Sequence, residues 1–332
     1  SGFTIQNGSA LYGGGIHCAD NSNPNLNNLI VRDNVCSGGG GAGVYCNDSS
    51  PTIEGVIIRD NASQDVGGGL YCKNNSNPIL TDVLIEGNTA VGGSWEGFVW
   101  GGGGGLNCYN SSPVLTNVTI SENTSSDFGG GISIIHLVNE EWIPYTESNP
   151  VLVNTILWNN SPDEIYNACP PDSGSITVSY SDVQGGLDSI GLPNEGSIVW
   201  SEGNIDLDPM FVDAANGDYH LADWSPCIGT GQDGVDMGAY ENALDNPFYL
   251  LSVDSVYFIH GDTAIVPISN QLDYPDLNSI GLKITGFQDK LSFVDLVTDS
   301  TTIFGSLGWI AQYNNTDTLL ITASAGSNTI DS

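Results

Sequence analysis

The feature that most constrains this chain is a repeat. Pro24, Pro51, Pro78, Pro113 and Pro150 each sit in a polar-Pro-x-aliphatic context, spaced 27, 27, 35 and 37 residues apart. Asn34, Asn61, Asn88, Asn123 and Asn160 repeat those spacings. Between them a Gly cluster leads into an aliphatic-x-Cys step: Ile16/Cys18, Val44/Cys46, Leu70/Cys72 and Leu106/Cys108, with Ile132/Ile134 in the fifth unit. A unit recurring at this period cannot bury its apolar face alone and must stack on its neighbours. Gly and Pro punctuate every unit, so no helical period survives and short period-2 segments remain. Three such strands per unit predict one coil of a right-handed parallel β-helix, with coils about 4.8 Å apart.

Stacking turns each sequence position into a column. Val31, Ile58, Ile85, Ile120 and Leu157 are expected to point inward, as are Leu29, Val56, Val83 and Val118. The Asn residues follow at a bend, where side-chain amides can hydrogen-bond from coil to coil. Cys18, Cys46, Cys72 and Cys108 fall on inward positions of one strand and predict a column of stacked thiols. Cys169 and Cys227 lie outside that column and are expected to pair as a disulfide, which leaves Cys36 over. Outward-facing Ile30, Ile57, Leu84 and Ile156, with Trp158 beside them, form an apolar stripe that is unusual on an acidic surface. Such a stripe is either a lateral interface with another molecule or a bed for a later segment of the same chain.

Charge narrows the partners. Five Lys+Arg against 39 Asp+Glu give a formal net charge of -34. Binding to nucleic acid or to an anionic membrane needs clustered cations, so neither is expected. No apolar run approaches the roughly 18 residues of a membrane span, so no membrane insertion is expected either. Gly at 43 of 332 residues, with 39% hydrophobic residues, fits a turn-rich β protein rather than a disordered chain.

After Asn160 the period fails, and two stretches carry a resemblance. SITVSYSDVQGG (Ser175 to Gly186) and GNIDLDPMFVDAANGDYHLADWSPCIGTGQDGVDMGAYE (Gly203 to Glu241) resemble secreted bacterial parallel β-helix repeat proteins with a choice-of-anchor C-terminal module. DPMFVD, GDYHL, SPCI and DMGAYE appear in that family's order, with Gly229 standing where the family usually has Asp. Residues 242–247 read as a linker. Residues 248–332 alternate as short strands, and SVDSVYFIHGDTAIVPISN, NSIGLKITGF and KLSFVDL resemble the opening half of a cohesin-like β-sandwich. This resemblance implies a dockerin-like partner or a strand supplied by a neighbouring subunit. The expected organisation is β-helix coils over 1–160, terminal coils and the choice-of-anchor type module over 161–241, and an incomplete sandwich over 248–332. The chain ends suggest either a piece of a larger polypeptide or a sandwich completed by a strand from a neighbour.

Two insertions mark candidate binding loops. The 35- and 37-residue spacings add VGGSWEGFVWGGG, with Trp95, Phe98 and Trp100, and HLVNEEWIPYTESN, with Trp142 and Tyr145. Aromatic faces on adjacent loops suit sugar rings or a protein partner. Asn204, Asp206 and Asp208 alternate like the start of an oxygen-ligand loop, so Ca2+ is the cofactor to consider. Catalysis finds less support. Arg32 and Arg59 are the coil cations a polysaccharide lyase would need, yet each precedes an Asp that can neutralise it. Among 39 acids, no pair stands out as a hydrolase couple. The expectation is an extracellular, non-catalytic structural or adhesive protein that self-associates or binds a surface glycan. A lyase or glycoside hydrolase of the same fold is the alternative.

Overall fold

The computed structural model describes residues 2–242 apart from 93, 96, 97, 100, 101, 136–146, 171, 172, 195 and 224; beyond 242 it describes only short strands. It divides into two units, Ser1–Phe248 and Tyr249–Ser332.

The first unit is all-β and built on long parallel sheets, compatible with a parallel β-helix. A 12-stranded sheet, a 5-stranded sheet and a 6-stranded sheet run along it, with strands from successive units side by side. The 6-stranded sheet stacks Ile16–Ala19, Val44–Asn47, Leu70–Lys73, Leu106–Tyr109, Ile132–Ile135 and Ile165–Asn167. Its register aligns Cys18, Cys46, Cys72 and Cys108, then Ile134, so the thiol column forms. These cysteines are free and buried. Burial raises the Cys72 and Cys108 thiols, which keeps them uncharged and inert.

Each repeat turns where a residue adopts positive φ. Asp33, Asp60, Gly87, Glu122 and Asn159 stand immediately before the five ladder asparagines, with φ of 54, 53, 62, 57 and 59°. A second bend, in the 12-stranded sheet, falls at Asn28, Gly55, Asp82, Asn117 and Asn154. Gly, Asn and Asp bear this conformation at the lowest cost, and so they recur at these positions.

The bend exposes backbone groups inside the stack, and the asparagines satisfy them. Nδ2 of Asn34, Asn61, Asn88 and Asn123 each donates to Oδ1 of the next asparagine at 2.9 Å. The same oxygens also accept the preceding asparagine's backbone N–H at 2.9–3.0 Å. Each asparagine Nδ2 also donates to a carbonyl of the preceding coil, Val31 O for Asn61 and Ile58 O for Asn88, but the asparagine-to-asparagine links all run towards the later coils, so two acceptors are needed beyond Asn160. Glu164 supplies them: Oε1 accepts from Asn160 N at 3.0 Å and Oε2 from Asn160 Nδ2 at 2.5 Å. Serines form a second column, in which Ser49, Ser76 and Ser111 backbone N–H groups donate to the hydroxyls of Ser76, Ser111 and Ser148.

The interior beside these columns is apolar. Val31, Ile58, Ile85, Ile120 and Leu157 are fully buried, and Val56, Val83 and Val118 nearly or wholly so, whereas Leu29 is half-buried. The second unit contributes antiparallel pairs: Leu251–Val253 with Ile268–Asn270, and Ser279–Ile284 with Leu319–Ser324, which also pairs Ile310–Tyr313.

Two outcomes follow from the asparagine column. Asn88→Ala removes the acceptor of two Asn61 donors and leaves Ile58 O and Asn123 Oδ1 short of a partner. It is expected to cost about 3 kcal/mol in urea unfolding, and Asn34→Ala at the column's end less. Burial pushes the Glu164 carboxyl from 4.5 up to about 7. The folded chain therefore holds a proton that the unfolded chain has released, so this contribution is complete below the ordinary value and lost as pH rises towards 7. Melting temperature is expected to fall over that window, and Glu164→Gln to flatten the slope.

Candidate functional site on the clasped face

The outward stripe falls in register, Ile30 beside Ile57, Leu84, Thr119 and Ile156, with Arg32, Arg59, Glu86, Ser121 and Trp158 as the neighbouring row. Segment 205–242 lies across it as a clasp. Its hairpin pairs Phe211–Asp213 with Asp218–Leu221. Leu84, Tyr219 and Ala239 form one buried cluster, with Ile57, Phe211, Ala214 and Tyr240 packed against it. Ile156, Leu221, Cys227, Ile228 and Met237 form another, with Trp158, Ile205 and Phe211 at its margin. Leu84 and Ile156 are only 2% and 0% exposed. The chain's own later segment is what covers the stripe, which corrects the expectation of a lateral interface at Leu84 and Ile156. Ile57 and Trp158 lie at the clasp's edges, and Ile30 is half-buried.

Polar contacts fix the clasp's register over about 14 Å, three coil steps of the stack. At one end Tyr219 OH donates to Glu86 Oε2 at 3.3 Å, and Arg59 Nη1 lies 3.5 Å from Glu86 Oε1. In the middle, Ala239 N donates to Thr119 Oγ1 at 3.0 Å, Gly238 N to Asn154 O at 2.8 Å and Gln232 N to Asn154 Oδ1 at 2.6 Å. At the other end, Asp182 accepts from Leu207 N at 3.1 Å and from the Cys227 thiol at 3.2 Å. Gly238 permits the closest approach. Its φ is +93°, and a Cβ there would meet Ile156 Cδ1 at 2.7 Å and Thr119 Oγ1 at 2.8 Å. The DMGAYE and GDYHL stretches thus carry docking residues.

These contacts revise one further expectation. Cys169 and Cys227 are both free; Cys169 belongs to the coil interior and Cys227 to the clasp cluster, where its thiol bonds Asp182 rather than sulfur. The side chains proposed for Ca2+ are turned to the backbone. Asn204 accepts from Ser181 N at 3.0 Å and donates to Val178 O and Ser201 O at 2.9 Å. Asp206 accepts from Gly185 N and Asp208 from Met210 N, both at 2.9 Å. Among the described residues, no three His, Cys, Asp or Glu side chains group as metal ligands. The coil arginines are engaged too: Arg32 lies 3.6 Å from Asp33, and Arg59 lies 3.8 Å from Asp60 in addition to its Glu86 contact.

Trp100, Trp142 and Tyr145 lie outside the described residues, as do the side chains of Trp95 and Phe98, whose backbones pair in a short antiparallel ribbon. Within the clasp, His220 Nδ1 lies 2.7 Å from Asp218 Oδ1, and its ring stacks on Tyr240 with centroids 4.5 Å apart. The His220 hydrogen bond pulls the Asp218 carboxyl below its ordinary value. The other row of the 12-stranded sheet is not clasped. Thr52, Ile79, Val114, Val151, Thr177 and Val199 align there, with Ile79, Val114 and Val199 exposed. Comparison with known proteins finds no matching family model, no matching curated protein and no matching solved structure.

Gly238→Ala is expected to loosen the clasp by about 2 kcal/mol, through the clash and the positive φ together. Limited proteolysis should then cut segment 205–242 early while the coils stay resistant. Tyr219→Phe, which removes one hydrogen bond, should have the smaller effect.

Proposed function

We propose that this is an extracellular, non-catalytic right-handed parallel β-helix protein that serves as a rigid structural or adhesive element. The observation that carries the reading is the coil-to-coil continuity of the side-chain columns. Four consecutive Asn–Asn bonds at 2.9 Å tie successive coils into one stiff body. Stiffness with a closed interior suits holding and spacing. The uncharged row Thr52, Ile79, Val114, Val151, Thr177 and Val199 supports an adhesive role, because it is an unusual neutral strip on a chain of net charge -34. In this reading Trp95, Phe98, Trp100, Trp142 and Tyr145 contact a surface glycan or partner. Ca2+ acts by screening the acidic surface. The choice-of-anchor resemblance of residues 161–241 and the cohesin-like resemblance of 248–332 support a C-terminal docking region that pairs with a partner strand.

Negative-stain microscopy and polysaccharide binding, each with and without millimolar Ca2+, test this proposal. Rods or filaments that retain a polysaccharide unchanged are the expected result. Turnover of a polysaccharide that is lost on Arg32→Ala would overturn it in favour of a lyase.

A further inference from the structure

The clasp is held at both ends by a buried carboxyl group. Glu86 is 9% exposed and receives the Tyr219 hydroxyl; Asp182 is fully buried and receives Leu207 N and the Cys227 thiol. Neither carboxyl would be buried without the clasp lying over it, because both project from the outward row of the coils. We propose that the clasp is a pH-gated strap, sealed on the coils in mildly acidic solution and opening as the solution becomes neutral to alkaline, with Glu86 and Asp182 as its two proton-sensing latches.

The charges around each latch set the direction. Asp182 faces Asp206 and Asp208 of the clasp, and Glu164 of the coils feels its charge; none of these offsets a second negative charge. Burial, with these acids, raises the Asp182 carboxyl from 3.8 to about 7. Glu86 faces Asp60, Arg59, Tyr219 and Tyr240, and Tyr219 also feels Glu122. Burial and Asp60 raise Glu86, while Arg59 and the Tyr219 hydroxyl hold it back. Asp182 is therefore the stronger latch. An opened clasp returns both groups to water and to ordinary carboxylate values. Between those values and about 7 the closed form holds protons that the open form lacks, so the opening constant climbs with pH across this window and levels off above it. Opening bares Leu84 and Ile156, so the strap also controls when the apolar stripe meets solvent.

The chain carries its own reporter. Cys227 is buried on the clasp's inner side, whereas Cys72 and Cys108 lie in the coil interior, so local opening exposes only the first. Alkylation of each cysteine is followed by peptide mass spectrometry on the intact chain, with a chelator present, from about pH 5 to 8. Each rate is divided by that of a synthetic Cys227 peptide at the same pH, which removes the thiol's own ionisation. The normalised Cys227 rate is expected to rise at least about tenfold while Cys72 and Cys108 remain unlabelled. Asp182→Asn together with Glu86→Gln should abolish the rise. Amide hydrogen exchange over residues 205–242 in the unaltered chain gives the same readout without substitution. A flat normalised rate, a parallel rise at Cys72 and Cys108, or an unchanged slope in the double variant would each overturn the proposal.

Discussion

The structure depends on one interaction repeated coil after coil: an asparagine whose side chain reads the next coil's asparagine. Each amide satisfies a backbone donor, a backbone carbonyl and its own neighbour at once, at a bend where the chain would otherwise leave buried polar groups unpaired. The column has a direction, so it needs a terminator. Glu164 meets that need with two acceptors on one side chain, and the regular period ends there. Solvation cost and hydrogen-bond geometry thus act together at the same residue, which makes the end of the repeat a titrating site.

Much of this was legible in the sequence, because a column needs the same residue at the same place in every unit. The inward aliphatic rows, the thiol column and the asparagine bend all followed from spacing. The serine column was not legible because its members sit two residues before the prolines, in Ser- and Asn-rich runs that any turn would carry. Glu164 was missed for a physical reason: it occurs once, and a terminator has no period. The disulfide expected between Cys169 and Cys227 assumed that cysteines outside the column find each other; instead one completes the coil interior and the other bonds a carboxyl.

The acidity of the chain has structural consequences. Asp33 and Asp60 stack one coil apart, and each is accompanied by an arginine on the preceding residue. The column then passes through Gly87 to Glu122 and Asn159, so like charges do not run on unbroken. With so few cations, Arg59 is shared: it meets Asp60 beside it and Glu86 beneath the clasp. The clasp brings apolar residues to the outward stripe, and it buries two carboxyl groups in doing so. Its seal is therefore tied to protonation, whereas the asparagine and serine columns of the coils carry no charge until Glu164.

The central claim is that the asparagines act as one continuous hydrogen-bonded column rather than as separate bend residues. A double-mutant cycle on Asn88→Ala and Asn123→Ala, read by equilibrium unfolding, tests it most directly. The account predicts strong coupling, with the double substitution costing less than the two single costs combined by about 1–3 kcal/mol, because the pair shares bonds that can be lost only once. Additive costs would contradict it and would leave each asparagine as an independent turn residue.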